Sequence, residues 1–405
     1  MSEQKRLLLI SQYFYPEQFR VNDLCSAWVN RGYDVTVLTG IPNYPQGKFY
    51  QGYHWFKKRR ENWNGMRIIR LPIIPRGNNN IMLGLNFLSF VVSGFFWSIF
   101  SKLKPDLIFI YEVSPMTQAL PGIWFAKRRM IPCYLYILDL WPENVEIVAG
   151  IKNGFIISLI NKMVDYIYRH CSSIFTASRG AAKAIQDRGV SKERIKYWPQ
   201  YAEAFYQPIN PHIADVPEIE DGILTMVFAG NVGFAQGLDV LPQAAELLRE
   251  KDIVFKFIIV GDGRYKQSLV KIVNEKEVSN CFQFIPRQPA ERIPAIMSVC
   301  DAALITLSKS KVFETTIPAK LQSVLACGIP IIVCADGEIQ QIVNESKAGL
   351  FCEAGDAHML ASIIVSFYQM SEEERKQMKS NAIQYSREHF NKESLLDQMD
   401  NYFMK

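Results

Sequence analysis

Two series of short apolar runs, each run followed by a helix-period stretch, are separated by a proline-broken segment, and this restricts the 405-residue chain to one kind of architecture. The first series reads "RLLLIS", "NDLCSAWVNRG", "DVTVLTG", "MRIIRLPI", a long apolar helix, "PDLIFIY", "GIWFAKRRM", "CYLYILDLWPE", "FIISLINKMVDYIYRHC" and "SIFTAS". Strands and helices alternating at this rhythm build a parallel sheet covered by helices on both faces. Pro199, Pro208, Pro211 and Pro217 then interrupt any helix, and the pattern restarts with "LTMVFAGN", "VFKFIIVGDG", "CFQFIPR", "AALITL", "IPIIVCA" and "AGLFCEAGD". The prediction is an α/β protein of two doubly wound domains, residues 1–205 and 206–380. A C-terminal helix, 381–405, is expected to pack back toward the first domain. Ligands of such sheets collect outside the carboxyl ends of the strands, and a cleft between two domains is the default site. The turns "YFYPEQFR", "GIPNYPQG", "YEVSPM", "DLWPEN" and "SRG" would therefore form the working surface of the first domain.

Several function classes are disfavoured early. The first turn, "SQYFYPEQFR", has no glycine, which argues against NAD or FAD there. The five histidines lie far apart without ligand spacing, so no zinc site is expected. Net charge is +5, concentrated in "KKRRENWNGMRIIR" (Lys57 to Arg70) with no nucleic-acid-binding module beside it. That cluster reads as a solvated face or as a surface for anionic lipid or a lipid pyrophosphate. The eight cysteines form no CxxC pair and read as reduced core residues of a cytosolic protein. The start "MSEQKRLLLISQYFY" reads as a first strand, its apolar run being too short for a signal sequence.

The segment Ile81 to Phe100, "IMLGLNFLSFVVSGFFWSIF", has the ~20-residue length of a bilayer span. Asn86, Ser89, Ser93 and Ser98 recur at helical spacing and give it one weakly polar face. A buried helix, a helix lying in a membrane surface and a true span all fit; Arg70 and Arg76 before it, and Lys102 and Lys104 after it, favour contact with anionic lipid.

"FAGNVGFAQGLDVL" (Phe228 to Leu241) looks like a strand passing through a glycine loop into a helix, a usual way of presenting N–H groups to phosphate, yet it contains no Lys or Arg. "TTIPAKLQSVLACGIPIIV" (Thr315 to Val333) supplies the missing charge. Pro318 suits the first position of a helix capped by Thr316 or Ile317, and Lys320 adds a full positive charge to its N-terminus. A diphosphate between the loop Gly230–Gly237 and this helix start would have backbone N–H groups and Lys320 as partners. Gly261 and Gly263, in "IVGDG", allow close approach of a ligand to backbone.

The order "GNVGFAQGLD", "VGDG", "FIPRQPAERIPAIMSVCDAALITL", "TTIPAKLQSVLACGIPIIV", "DGEIQQIVNESKAGLFCEAGD" resembles family 4 glycosyltransferases of the GT-B fold across nearly the whole chain. The openings "SQYFYPEQFR" and "ILDLWPENV" are similar to the bacterial branch that builds O-antigen and colanic acid units, including WbuB-type L-fucosamine transferases. The resemblance implies a UDP-sugar bound mainly by the second domain, an acceptor held by the first, retention of configuration and no required metal. It places the donor loop at Gly230, Asn231, Gln236 and Gly237, and includes Arg287 in the donor region. Many members carry Arg and Lys at Asn231 and Gln236, so phosphate neutralisation moves to Lys320, with Arg264 and Arg20 in reserve. The family's glutamate pair falls on Thr315 and Ser323; Glu314 and Gln322 are the neighbours, and Gln322 or Ser323 is left to bind the ribose. Leu138 stands where members have His, so Asp139 and Glu143 are the carboxylates expected near the acceptor hydroxyl, with helix capping as their other reading. Glu338 would contact the donor sugar or cap its helix.

The expected activity is transfer of N-acetyl-L-fucosamine from UDP to a GlcNAc-type sugar on a polyprenyl pyrophosphate, at the cytoplasmic face of the inner membrane. A UDP-sugar 2-epimerase of the same fold and a non-catalytic nucleotide-binding, membrane-docking protein are the alternatives.

Overall fold

The computed structural model describes residues 4–148, 153–210 and 222–404. Pro211 and Pro217 of the expected break lie outside the described residues. Two compact units divide the chain, Met1–Trp198 and Pro199–Lys405. The division falls ahead of the expected 205 because Trp198 is anchored in the first unit: its N–H donates to Thr176 O (2.9 Å) and its buried ring packs edge-on against Tyr136.

Unit 1 runs β1 (Arg6–Ile10), α1 (Arg20–Asn30), β2 (Asp34–Gly40), β3 (Arg60–Trp63), β4 (Met66–Leu71), α2 (Asn80–Phe100), β5 (Leu107–Glu112), α3 (Leu120–Arg129), β6 (Cys133–Ile137), α4 (Glu143–Val148), α5 (Gly154–His170), β7 (Ser173–Thr176), α6 (Arg179–Asp187) and β8 (Ile195–Tyr197). Its strands lie in the order β3-β4-β2-β1-β5-β6-β7-β8, all parallel except β3. Leu8 at the centre sits between Thr36 of β2 and Ile108 of β5, so the strand order reverses direction at the β1/β5 boundary.

Unit 2 runs β9 (Leu224–Ala229), α7 (Val240–Arg249), β10 (Phe255–Val260), α8 (Lys266–Glu275), β11 (Phe282–Ile285), α9 (Ile293–Ser298), β12 (Ala302–Thr306), α10 (Lys311–Glu314), α11 (Lys320–Ala326), β13 (Ile331–Cys334), α12 (Glu338–Ser346), β14 (Gly349–Cys352), α13 (Ala357–Gln369), α14 (Glu372–His389) and α15 (Lys392–Met404). The sheet is wholly parallel, β11-β10-β9-β12-β13-β14, and reverses between β9 and β12. The helix expected from 381 begins at Glu372, where Ser371 and Glu374 form a capping box, and α15 follows as a separate element; both belong to unit 2. All eight cysteines are buried and unpaired.

Two expectations about unit 1 change. The basic segment folds into a β3–β4 hairpin turned by Asn64-Gly65, both at positive φ. Arg70 points inward, 0% exposed, donating to Glu61 and to Tyr15 O (2.7 Å), so it is a core ion pair and does not flank the apolar helix.

The apolar segment forms one helix, α2, with its polarity reversed relative to an ordinary surface helix. Asn86, Phe90, Gly94 and Ser98 are buried, while Ile81, Leu85, Leu88, Val92, Phe95, Phe96 and Phe100 are exposed. The inward polar groups are satisfied locally: Asn86 Oδ1 accepts from Gln12 Nε2 (2.7 Å), Asn86 Nδ2 donates to Ile74 O (2.6 Å), and Ser93 Oγ donates to Pro72 O (2.5 Å). Gly94 lets α3 approach, because a β-carbon there would meet Pro121 Cγ at 2.2 Å. Asn86→Ala should destabilise the folded state, measured by urea unfolding, by about 1–3 kcal/mol for each buried group it orphans. An unchanged midpoint would mean that these bonds hold nothing.

Candidate active site

In unit 2 the site residues gather where the strand order reverses, the position at which open α/β sheets bind ligands. The loop after β9 is stitched to the loop after β10. Val232 N–H donates to Asp262 O (2.9 Å), Tyr265 N–H to Val232 O (3.1 Å) and Gly230 N–H to Val260 O (3.0 Å). Glycine is required at both crossing points: a β-carbon on Gly261 would lie 1.9 Å from Gly230 O, and one on Gly263 would lie 2.2 Å from Val232 O. On its other side the loop is held by β12, whose Thr306 Oγ1 donates to Gln236 O (2.5 Å), while Ser308 Oγ donates to Phe234 O (2.6 Å).

This stitching corrects the expected phosphate cradle. The N–H groups of Gly230, Val232, Gly233, Gln236 and Gly237 all donate within the protein. What the loop surrounds is a cation. Lys320 Nζ sits 3.8 Å from the centroid of the Phe228 ring and donates to Gln236 Oε1, and a β-carbon on Gly230 would lie 3.7 Å from it. The residue keeps part of its surface exposed, but its ammonium is enclosed, and that desolvation lowers its pKa to about 7. Gln236, expected as a phosphate contact, instead holds the lysine in place.

The helix behind Lys320 is shorter than expected, starting at Lys320 itself rather than at Pro318. Thr316 does not cap it; its hydroxyl donates back to Val312 O (2.9 Å) in α10. Gln322 is buried, and with its amide turned to donate it bonds Ala319 O (2.9 Å) and Pro318 O (3.3 Å). Ser323 is buried on the same helix. Both are buried, so neither side chain is presented for the expected neutral contact to a ribose. Glu314 is exposed beside Gly337, whose β-carbon would meet Glu314 O at 2.0 Å, so the 314–316 turn presses against the start of α12 and Glu338. Asn231, Arg264 and Arg287 are exposed on the loops after β9, β10 and β11. Arg20 lies in unit 1, at the start of α1.

In unit 1, Asp139 follows β6 and its Oδ2 accepts from Ser114 N–H (2.8 Å), tying it to the turn after β5. Glu143 opens α4, and its Oε2 is buried without a hydrogen-bond partner. A third carboxyl, Glu112, was missed by sequence reasoning. It ends β5, 0% exposed, and its Oε2 accepts from Asp139 N–H (3.4 Å). Burial first, then the Asp139 charge, pushes its pKa well above the usual carboxylate range. The signal was present: an acid closing the otherwise apolar strand "LIFIYE".

Residues 18–200 match the family described as glycosyl transferase 4-like domain, and residues 211–385 match glycosyl transferases group 1. The chain is a GT-B glycosyltransferase of the family 4 type. It is 27% identical over 324 residues to the putative colanic acid biosynthesis glycosyl transferase WcaI of Escherichia coli K12, covering 76% of each chain. It is 26% identical over 349 residues to the probable glycosyltransferase WbjE of Pseudomonas aeruginosa, covering 77% of this glycosyltransferase and 84% of the relative. Among solved structures, sucrose-phosphate synthase of Thermosynechococcus elongatus superposes with a TM-score of 0.78 at 16% identity, covering 99% and 98% of the two chains. Anabaena HepE in complex with UDP and glucose superposes at 0.72 and 14% identity, covering 99% and 100%. These two carry the fold. The curated relatives place this glycosyltransferase in polysaccharide synthesis.

Proposed function

We propose that the protein transfers a sugar, best assigned as N-acetyl-L-fucosamine, from UDP to a GlcNAc-type sugar on a polyprenyl pyrophosphate, with retention and without a metal. The observation that carries the donor half is Lys320, a cation enclosed beneath the glycine loop at the switch point of unit 2. Bond breaking builds negative charge on the leaving diphosphate, and a preorganised cation stabilises it there. The HepE complexes hold UDP on the same fold, which supports a uridine carrier. On the acceptor side Asp139 is the group placed to orient a hydroxyl. Glu112 steadies Asp139 by accepting from its backbone N–H, and the leaving phosphate oxygen takes the proton.

The lipid half rests on α2. A helix that buries its amide and hydroxyls and exposes its Leu and Phe side chains has the polarity of one lying in the interfacial layer of a bilayer. Lys102 and Lys104 follow its C-terminal end, where Arg128 donates to Ile99 O and Arg129 Nη2 to Ser101 O (2.8 Å), and these cations complement anionic headgroups. The protein is thus read as peripheral on the cytoplasmic face of the inner membrane.

Thermal shift with UDP, GDP, ADP and NAD tests the donor. UDP at 100 times its dissociation constant should stabilise unit 2 by about 2.7 kcal/mol while the others do less. A larger shift with GDP would replace the donor, and no shift with any of them would remove the catalytic reading. UDP-N-acetyl-L-fucosamine with a lipid-linked GlcNAc then tests the sugar.

A further inference from the structure

Arg76 lies on the carboxyl-end surface of unit 1 and is not used by the reaction above. It follows β4, and its backbone is fixed from two sides: its N–H donates to Asn43 Oδ1 (2.8 Å), and the next N–H, of Gly77, donates to Gly47 O (3.0 Å). Its guanidinium lies 5.2 Å from the Tyr44 ring and 6.0 Å from the Tyr13 ring, and its Nη1 donates to Tyr13 Oη (2.9 Å). Tyr13, Phe19 and Tyr44 form one cluster, with centroids 5.2 to 5.6 Å apart, on the turns after β1 and β2. Phe19 and Tyr44 keep part of their faces exposed.

This arginine has no counter-charge. Among the described residues no carboxylate pairs with it, and one of the five guanidinium N–H donors is used. Burial holds the Tyr13 phenol neutral, its pKa raised to about 12. The nearby Glu17 is turned away from it, with Oε1 accepting from Asn43 and Tyr44 N–H (2.7 Å each) and Oε2 from Phe14 N–H (3.2 Å). A fixed, uncompensated guanidinium with several donors in one plane is suited to a bidentate phosphate contact.

Its position says which phosphate. Arg76 stands at the foot of α2, and the exposed apolar stripe of that helix begins at Ile81 and continues through Leu85 and Leu88. An anion held by Arg76 and attached to an apolar chain would place that chain along this stripe, whereas a free phosphate or a nucleotide would gain nothing from it. We propose that Arg76, backed by Tyr13, Phe19 and Tyr44, is the site for the diphosphate of a polyprenyl-linked acceptor. The sugar next to that diphosphate would lie over the exposed faces of Phe19 and Tyr44. The assignment rests on the lipid-linked acceptor proposed above, but its test does not depend on transfer.

The full-length protein in detergent is titrated with farnesyl diphosphate, with inorganic pyrophosphate and with UDP. Farnesyl diphosphate should bind at least tenfold more tightly than pyrophosphate. Arg76→Met should weaken farnesyl diphosphate by about tenfold to a hundredfold, the range for losing a contact between charged groups, and leave UDP binding and the melting temperature unchanged. Arg76→Lys should retain an intermediate affinity, and Leu85→Ser with Leu88→Ser should reduce farnesyl diphosphate to the level of pyrophosphate. Equal farnesyl diphosphate affinity in wild type and Arg76→Met overturns the site, as does a wild type that prefers neither diphosphate. Failure of UDP to bind would instead overturn the donor reading and leave this one standing.

Discussion

Lys320→Met is expected to reduce turnover by about 100- to 1,000-fold, the loss typical of removing one preorganised group that faces developing charge. Measured by calorimetry, UDP affinity should fall by at least about tenfold. The variant should fold, because the side chain it replaces is an enclosed cation with one acceptor, Gln236, and one ring, Phe228, and a Met fills the same space against that ring. Unchanged kinetics would remove the phosphate assignment.

Burial adds a pH signature to the same residue. With a folded-state pKa lowered to about 7, Lys320 loses its charge as pH rises through that value. UDP affinity should therefore fall between about pH 7 and pH 9, a range in which the terminal phosphate is already ionised. Stability should move the other way. An unfolded lysine stays protonated to about pH 10.4, so between pH 7 and that value the unfolded chain holds one more proton, and this residue's contribution to stability rises with pH. Titrating wild type and Lys320→Met in parallel separates the two slopes, and Lys320→Met should lack both.

The two sheets were legible because parallel strands buried on both faces are short, uninterrupted apolar runs bounded by turn residues. The glycine turns at 230 and 261 were legible for a related reason: the contacts they permit, 1.9 Å from Gly261 to Gly230 O, exclude every other residue. What failed were the start of α11 and the ribose contact: the helix begins at Lys320 and not at Pro318, and Gln322 and Ser323, assigned to the ribose by resemblance alone, are both buried. Pairings across the sheet were also invisible, since Glu112 meets Asp139 only once β5 and β6 stand side by side, and Arg76 meets Tyr13 only once β4, β2 and β1 do. The glycine loop misled in a different way. Its sequence is that of a phosphate cradle, but the N–H groups of Gly230 and Val232 are taken by the end of β10 and the loop after it, those of Gly233, Gln236 and Gly237 by the loop's own carbonyls, and the charge comes from a residue some 80 positions later, Lys320 bonded to Gln236.

Replacing Leu88, Val92, Phe96 and Phe100 of α2 with Ser should release the protein from vesicles of phosphatidylglycerol and phosphatidylethanolamine. These four positions recur every four residues along the exposed stripe. At about 1.5 kcal/mol for each half-immersed side chain, the partition free energy falls by roughly 6 kcal/mol, about four orders of magnitude. The choice of residues decides what the experiment reads. Trp97, which its sequence neighbours make the obvious anchor, packs against Phe125 with ring centroids 4.9 Å apart, and Phe95 meets Trp124 edge-on at 5.4 Å, so changing them would damage the contact with α3. Of the four exposed side chains only Phe96 meets another ring, that of Phe95 on the same helix (5.7 Å), and their removal should leave the urea midpoint unchanged or raise it. Release from vesicles with an intact midpoint assigns the stripe to lipid. Loss of folding would make it a protein contact, and retention on vesicles would move the attachment to the basic cluster at Lys127, Arg128 and Arg129, where about 1 kcal/mol per charge is at stake and high salt would break it.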